Sequence, residues 1–232
     1  MTYENIVPAT FINRPNRFIA SIEIDEKPVV CHVKNTGRCK ELLMPGARIL
    51  VQLSDAPNRK TPCDLIAVWK GDRLINMDAQ APNKVFGEWL ASGGMGFAPT
   101  LIRPECTHGD SRFDFYFEVD GRRAFAEIKG VTLEENGVVR FPDAPTERGV
   151  KHLHGLIRSV AEGFNAYAVF IIQMKDVKWF EPNWATHPAF GDALREAQEA
   201  GVHILALDCD VTENSLTVRA PVEVRNRVGG AD

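Results

Sequence analysis

The strongest constraint on this fold is one dipeptide, Asp120-Gly121. It stands between two alternating runs, "SRFDFYFEV" (111–119) and "RAFAEIKG" (123–130). Asp-Gly readily takes the positive backbone angles of a two-residue hairpin turn, and the runs on either side have the alternation of a half-buried antiparallel pair. Closing that turn sets Val119 opposite Arg122, Phe117 opposite Ala124, Phe115 opposite Ala126 and Phe113 opposite Ile128, forming an apolar face. On the other face Tyr116 meets Phe125 and Asp114 meets Glu127. A slip of one residue would oppose apolar to polar positions along the whole ladder, so the pattern selects this register.

The register makes two carboxylates direct neighbours, with β-carbons roughly 5 Å apart. Like charges at that separation destabilise a strand pair unless something compensates them. A divalent cation does so, and Mg²⁺ typically takes one or two protein carboxylates while keeping several waters. Lys129 is two residues beyond Glu127 and shares its face. An ammonium there orients or helps deprotonate a water, or stabilises charge developing on a phosphate. Asp114, Glu127 and Lys129 are therefore candidate catalytic residues, with Mg²⁺ or Mn²⁺ as the expected cofactor and phosphodiester hydrolysis as the expected chemistry. An Asp followed by Glu-x-Lys is a common pattern on solvated strands; the opposed register is what lifts it above that reading.

Two further segments fit the same chemistry. Glu88 falls in "APNKVFGEWLAS" (81–92), beside Val85 and Trp89 at helical spacing, and is a candidate third metal ligand; an exposed helical Glu is the competing reading. In "FPDAPTERGVKHL" (141–153) Thr146 is placed to cap a helix. Arg148, Lys151 and His152 crowd that helix's first turns, against the usual macrodipole preference, which suits phosphate binding.

The 232 residues are 44% hydrophobic with a formal net charge of -4, enough for one large domain or two modest ones. An acidic balance gives no general support to nucleic-acid binding, so such binding needs a local basic patch. No apolar run reaches membrane-span length, and "MTYENIVPATF" lacks the regions of a signal peptide. The five cysteines form no CxxC pair, which predicts reduced thiols, a cytoplasmic protein and no zinc site. Short strands are predicted at 17–24, 28–34, 47–53, 64–70 and 73–77, suggesting a small barrel, with the OB fold as one candidate. From about residue 80 the pattern becomes a helix, strands at 100–104, 111–119, 123–130 and 137–141, a helix at 146–163, and a buried strand at 166–174. A helix at 188–200 and a strand at 202–208 close it. This is an α/β (α+β) pattern with a mixed sheet. The expected domains are 1–80 and 81–232.

Taken together, "RPNRF" (14–18), "HVKNTGRCKELLMPG" (32–46), "APNKVFGEWL" (81–90), "SRFDF" (111–115), "EIKGVT" (127–132) and "FPDAPTERGVKHL" (141–153) resemble the sugar fermentation stimulation protein A family over almost the whole chain. The resemblance implies an N-terminal OB-fold-like barrel followed by a PD-(D/E)xK nuclease-like domain. It also implies DNA binding without sequence specificity and a regulatory role in sugar (maltose) utilisation. The superfamily's motif carries onto Asp114, Glu127 and Lys129, and its helical acid onto Glu88. Phe113 stands where the motif's name has Pro.

In the first half, Arg14, Arg17, Lys34, Asn35, Thr36, Arg38 and Lys40 form a polar, basic cluster expected to contact nucleic acid. Phe11 and Phe18 are the nearby aromatics, and Phe18 is expected to be core. Two readings remain open: a metal-dependent nuclease, and a DNA-binding regulator carrying an idle nuclease scaffold. A small-molecule enzyme has no dinucleotide or P-loop motif behind it.

Overall fold

The computed structural model describes residues 1–35, 37–56 and 59–226. Its first half contains β1 (Ile6–Asn16), β2 (Ile19–Ile24), β3 (Lys27–Val33), β4 (Arg48–Leu53), β5 (Cys63–Lys70) and β6 (Arg73–Asn76). They pair in the order β3-β2-β1-β4-β5-β6, and β3 also pairs with β5, closing a five-stranded barrel of the OB type. Closure rests on three parallel pairs, Cys31 with Cys63, His32 with Asp64 and Val33 with Leu65. Alternation fills the barrel: Ala20 and Ile22 from β2, Cys31 and Val33 from β3, and Ile49 and Val51 from β4 are all buried. The sequence reading missed β1. Its run contains Pro8 and Pro15, and its pairing with β2 is shifted between Phe11 and Asn13 and again between Asn13 and Asn16, which destroys simple alternation.

The second half opens with α1 (Ala81–Ala91), followed by β7 (Leu101–His108), β8 (Ser111–Val119), β9 (Arg122–Val131), β10 (Leu133–Glu135) and β11 (Val138–Phe141). Then come α2 (Glu147–Ala161), β12 (Asn165–Ile172), β13 (Trp179–Pro182), α3 (Pro188–Glu199), β14 (His203–Val211) and β15 (Leu216–Pro221). A six-stranded mixed sheet runs β15-β14-β12-β9-β8-β7; β9, β12 and β14 are parallel and the outer pairs antiparallel. Strands β10, β11 and β13 form a small second sheet.

Helix α1 covers one face of the large sheet, burying Val85, Phe86 and Leu90 against Phe115, Phe117, Ala124, Ala126 and Ile128. Helices α2 and α3 cover the other, where Leu153, Leu156 and Leu194 belong to the same buried cluster as Phe113, Phe125 and Phe170. Strand β12 is buried on both faces, as its continuous apolar run predicts. A polar lock joins the halves: Asn76 N donates to Gln173 O at 2.9 Å, and Gln173 Nε2 donates to Asn76 Oδ1 at 2.8 Å and to Asp78 O at 3.0 Å. Among the described residues no helix is long and apolar enough to cross a membrane.

Candidate functional site

The hairpin forms as the turn dictates. Asp120 and Gly121 both have positive φ, 47° and 71°, and the pairs Val119–Arg122, Phe117–Ala124, Tyr116–Phe125 and Phe115–Ala126 are in the expected register. Beyond Phe115 the ladder departs from the expected continuation. The Ile128 N–H donates to Asp114 Oδ2 at 2.7 Å, so a side-chain carboxylate takes the place of a main-chain acceptor. On the other side of β8, Glu105 falls between the pairs Pro104–Phe115 and Cys106–Phe113 and has φ 54°. Alternation breaks here. Phe115 packs on Phe86 of α1 with ring centroids 5.3 Å apart, whereas Phe113 packs on Phe125 at 5.1 Å, on the α2 side. The expectation that Phe113 shares a face with Phe115 and Ile128 is corrected: the irregularity at Asp114 carries it across the sheet.

Glu127 is 4% exposed. Its Oε1 accepts from Lys129 Nζ at 2.6 Å and is also hydrogen-bonded by His152 Nδ1. Arg148 Nε donates to His152 Nε2 at 3.3 Å, which leaves the imidazole's proton on Nδ1, pointing at the carboxylate. Glu127 Oε2 is buried and has no hydrogen-bond partner among the described residues. Burial alone would raise the Glu127 carboxyl, but the hydrogen bonds from His152 and Lys129, with the Lys129 charge, outweigh it and hold the carboxyl below its ordinary range. Asp114 moves the other way. Burial and the Glu127 charge push it up, only partly offset by the Ile128 N–H, Asn83 and Lys129. The two acids are therefore electrostatically coupled, with their titrations driven apart.

Close backbone approaches hold these groups together. Gly155 of α2 sits where a β-carbon would lie 2.4 Å from Ser111 Oγ and 3.2 Å from Phe113 Cζ, so its lack of a side chain lets the helix settle onto β8 and bring His152 to Glu127. Thr146 caps that helix, its Oγ1 accepting from Gly149 N at 3.1 Å. Gly130, next to Lys129, sits where a β-carbon would meet Gln173 Oε1 at 2.6 Å and Pro82 Cγ at 2.8 Å, which lets the first turn of α1 approach β9.

That approach delivers Asn83, a residue the sequence reading did not single out. Asn83 Nδ2 donates to Asp114 Oδ1 at 2.8 Å. Glu88 is not brought to the pair: its Oε2 lies 2.6 Å from the Met1 amine, and its side chain is 49% exposed. No group of three His, Cys, Asp or Glu placed to hold a metal occurs among the described residues. The donor set is thus two carboxylates with one unpartnered buried oxygen, which suits a small hard cation that keeps most of its waters. Of the basic residues expected on α2, His152 and Arg148 join the site, whereas Lys151 lies 3.7 Å from Asp110 at the surface.

The barrel cluster divides in a similar way. Arg14 is committed to its own loop: its guanidinium donates to the carbonyls of Gly37, Arg38, Arg17 and Asn35 at 2.6–3.2 Å. Lys34 Nζ lies 3.2 Å from Asp78 and 3.6 Å from Asp64, both buried acids. Asn35 Oδ1 accepts from Gly37 N at 2.8 Å, folding the loop on itself. Thr36 lies outside the described residues. Arg17, Arg38 and Lys40 are exposed. The expectation for Phe18 is corrected: β2 begins at Ile19, and Phe18 on the preceding turn is 52% exposed, while Phe11 is 2% exposed and in the core.

With this geometry in hand, comparison with known proteins gives a consistent result. Residues 12–77 match the family described as SfsA N-terminal OB domain, and residues 80–215 match the sugar fermentation stimulation protein RE domain. The chain is 57% identical over 97% of its length to a sugar fermentation stimulation protein homolog of Clostridium beijerinckii, covering 99% of that protein. It is 60% identical over 93% of its length to one of Desulfitobacterium hafniense, covering 94% of that protein. Among solved structures it is similar to Pyrococcus furiosus SfsA in complex with Ca²⁺, with 27% identity, a TM-score of 0.86, and coverage of 97% of this chain and 98% of that one.

Proposed function

The chain belongs to the sugar fermentation stimulation protein family, and we propose that it is a cytoplasmic DNA-binding protein whose second half hydrolyses phosphodiester bonds with a divalent cation. Residues 1–80 would hold the nucleic acid, without sequence specificity, and residues 81–232 would carry the chemistry. The observation that carries the reading is Glu127 Oε2, a buried and unpartnered carboxylate oxygen beside a second acid that its charge perturbs. Orphaned buried carboxylate oxygens are costly and rare. The Ca²⁺ in the related P. furiosus protein supports a divalent ion here.

In this reading Glu127 and Asp114 would hold Mg²⁺ or Mn²⁺. When bound, the ion supplies positive charge for the phosphate and makes water a better nucleophile at neutral pH. Asn83 and the Ile128 N–H fix the Asp114 carboxylate through one oxygen each. The His152 Nδ1–H holds Glu127 Oε1 from the helix side and so leaves Oε2 as the free oxygen. Lys129, whose Nζ donates to Glu127 Oε1 at 2.6 Å, would orient the attacking water and neutralise charge developing on the phosphate.

The test is cleavage of single- and double-stranded DNA and RNA by pure protein in Mn²⁺ or Mg²⁺, compared with Lys129→Ala. Cleavage of DNA that falls by at least roughly a hundredfold in the variant, with DNA binding retained, is the expected result. Cleavage that survives the substitution refutes the assignment. Salt-sensitive binding with no cleavage in any metal would leave the regulator reading, a nuclease scaffold that binds and does not cut.

A further inference from the structure

Phe18 is an aromatic ring that the fold leaves in solvent on an ordered turn. Asn16 Oδ1 accepts from the main-chain N–H groups of Phe18 and Ile19, at 2.8 and 3.1 Å, so the ring is presented from a fixed backbone. The Arg17 guanidinium lies 5.8 Å from its centroid. Arg17 also lines an open groove of about 630 Å³, together with Arg14, Arg38 and Lys40. Among the described residues no acidic side chain lines that groove. Asp143 Oδ2 accepts from the Arg38 N–H of the groove's loop at 3.1 Å.

The groove leads somewhere. Its wall includes Ala144, two residues before the α2 cap Thr146. Arg148, exposed on the first turn of α2, reaches His152, and His152 holds Glu127. On the other side the loop residue Asn35 shares a small cavity with Gly130, the neighbour of Lys129. The cationic groove and the acid pair are thus joined by short stretches of main chain on both sides.

A cationic groove beside an exposed ring is the combination that holds unpaired strands, because phosphates follow the charges and a base face stacks on the ring. In a duplex those faces are already stacked and hidden. We infer that the barrel takes an unpaired DNA strand, with one base stacked on Phe18, phosphates on Arg17, Arg38 and Lys40, and the strand continuing past Arg148 toward Glu127 and Lys129. The destination of the strand rests on the proposed hydrolytic reading; the stacking contact does not.

Binding of the full chain to labelled oligo-dT of about 20 nucleotides, long enough to span a barrel's usual footprint, is measured by fluorescence anisotropy in EDTA beside a blunt duplex and oligo-rU of the same length. The wild type is expected to bind oligo-dT most tightly. Phe18→Ala is expected to weaken oligo-dT binding by roughly five- to a hundredfold and duplex binding by no more than about twofold, while Phe18→Trp keeps wild-type affinity. Equal losses on strand and duplex, or no loss on oligo-dT, overturn the stacking assignment. Preference for the duplex or for oligo-rU overturns the choice of an unpaired DNA strand. Because EDTA suppresses cleavage, these outcomes are independent of hydrolysis: a chain that stacks a strand on Phe18 and never cuts refutes the hydrolytic reading alone.

Discussion

Replacing Asp114 by Asn removes one charge from a buried pair while keeping its shape. The new Oδ1 can go on accepting from Ile128 N, and the new Nδ2 can donate to Asn83 once that amide turns over, so both native contacts have a replacement. What disappears is the repulsion from Glu127 and the cost of burying a second anion, the two causes that raise Asp114. Like charges facing across a strand pair cost up to about 1 kcal/mol, which in a chain of this size corresponds to roughly 2–4 °C in Tm. In EDTA at pH 7 the variant should therefore be the more stable protein. The sign follows from the direction of the shift. A carboxyl raised above its ordinary 3.8 contributes stability that is fully present below 3.8 and is lost as pH rises through its folded value. The gap between variant and wild type should therefore open with rising pH and close in acid. Glu127 is depressed, so its contribution is lost as pH falls, but both proteins carry it. Adding Ca²⁺ or Mn²⁺ should reverse the order, since an ion at a hundred times its Kd stabilises the wild type by about 2.7 kcal/mol and the variant by much less. Thermal and urea denaturation followed by circular dichroism, with and without chelator, measure both effects. A variant less stable than wild type in EDTA at neutral pH, or one that gains as much from the ion, would refute the account of the acid pair.

Two other expectations separate residues that sequence alone treats alike. Asn83→Ala, which frees Asp114 Oδ1, should lower cleavage roughly tenfold or more with DNA binding unchanged, whereas Glu88→Gln breaks only a half-exposed pair with the terminal amine and should leave cleavage within about twofold and stability within about 1 kcal/mol. Arg38→Ala with Lys40→Ala should reduce the slope of log affinity against log salt by about 1.4 for a single strand, measured by anisotropy across a salt series. Arg14→Ala, which releases carbonyls within the loop, should instead lower the urea midpoint before it changes that slope.

The parts of this fold that were legible in the sequence are those fixed by short-range pattern. Strand β2 alternates, the Asp120-Gly121 turn sets its own register, and β12 reads as a buried strand because it is apolar throughout. Strands β10 and β13 have three and four residues, too few for a period to show. Strand β15 is an edge strand that buries one residue, Leu216, fully. Phe18 failed for a different reason: it continues the alternation of Ala20 and Ile22 in sequence, but the strand starts after it, and the turn points the ring outward.

The site shows where a one-dimensional reading stops. The hairpin register from Val119–Arg122 to Phe115–Ala126 was visible, and it brings Asp114 near enough for the Glu127 charge to raise it. Which residue of α1 meets them depends on how the helix is rotated and how far along the sheet it lies. Asn83 and Glu88 are five residues apart, about 140° around a helix, and both border the apolar stripe of Val85, Phe86 and Leu90. The stripe says which face turns inward; it does not say which polar border lies over the acids. Gly130 and Pro82, in close contact, set the helix's height on the sheet and so choose Asn83. His152 is similar, since its spacing from Thr146 marks it as an early-helix residue, but its place on Glu127 depends on Gly155 letting α2 down onto β8. The result is a carboxylate with a lysine and a histidine both on one oxygen and, among the described residues, no donor on the other. Stability alone would have shared those donors between the two oxygens. The asymmetry that leaves Oε2 bare is the strongest physical reason to look for a cation there.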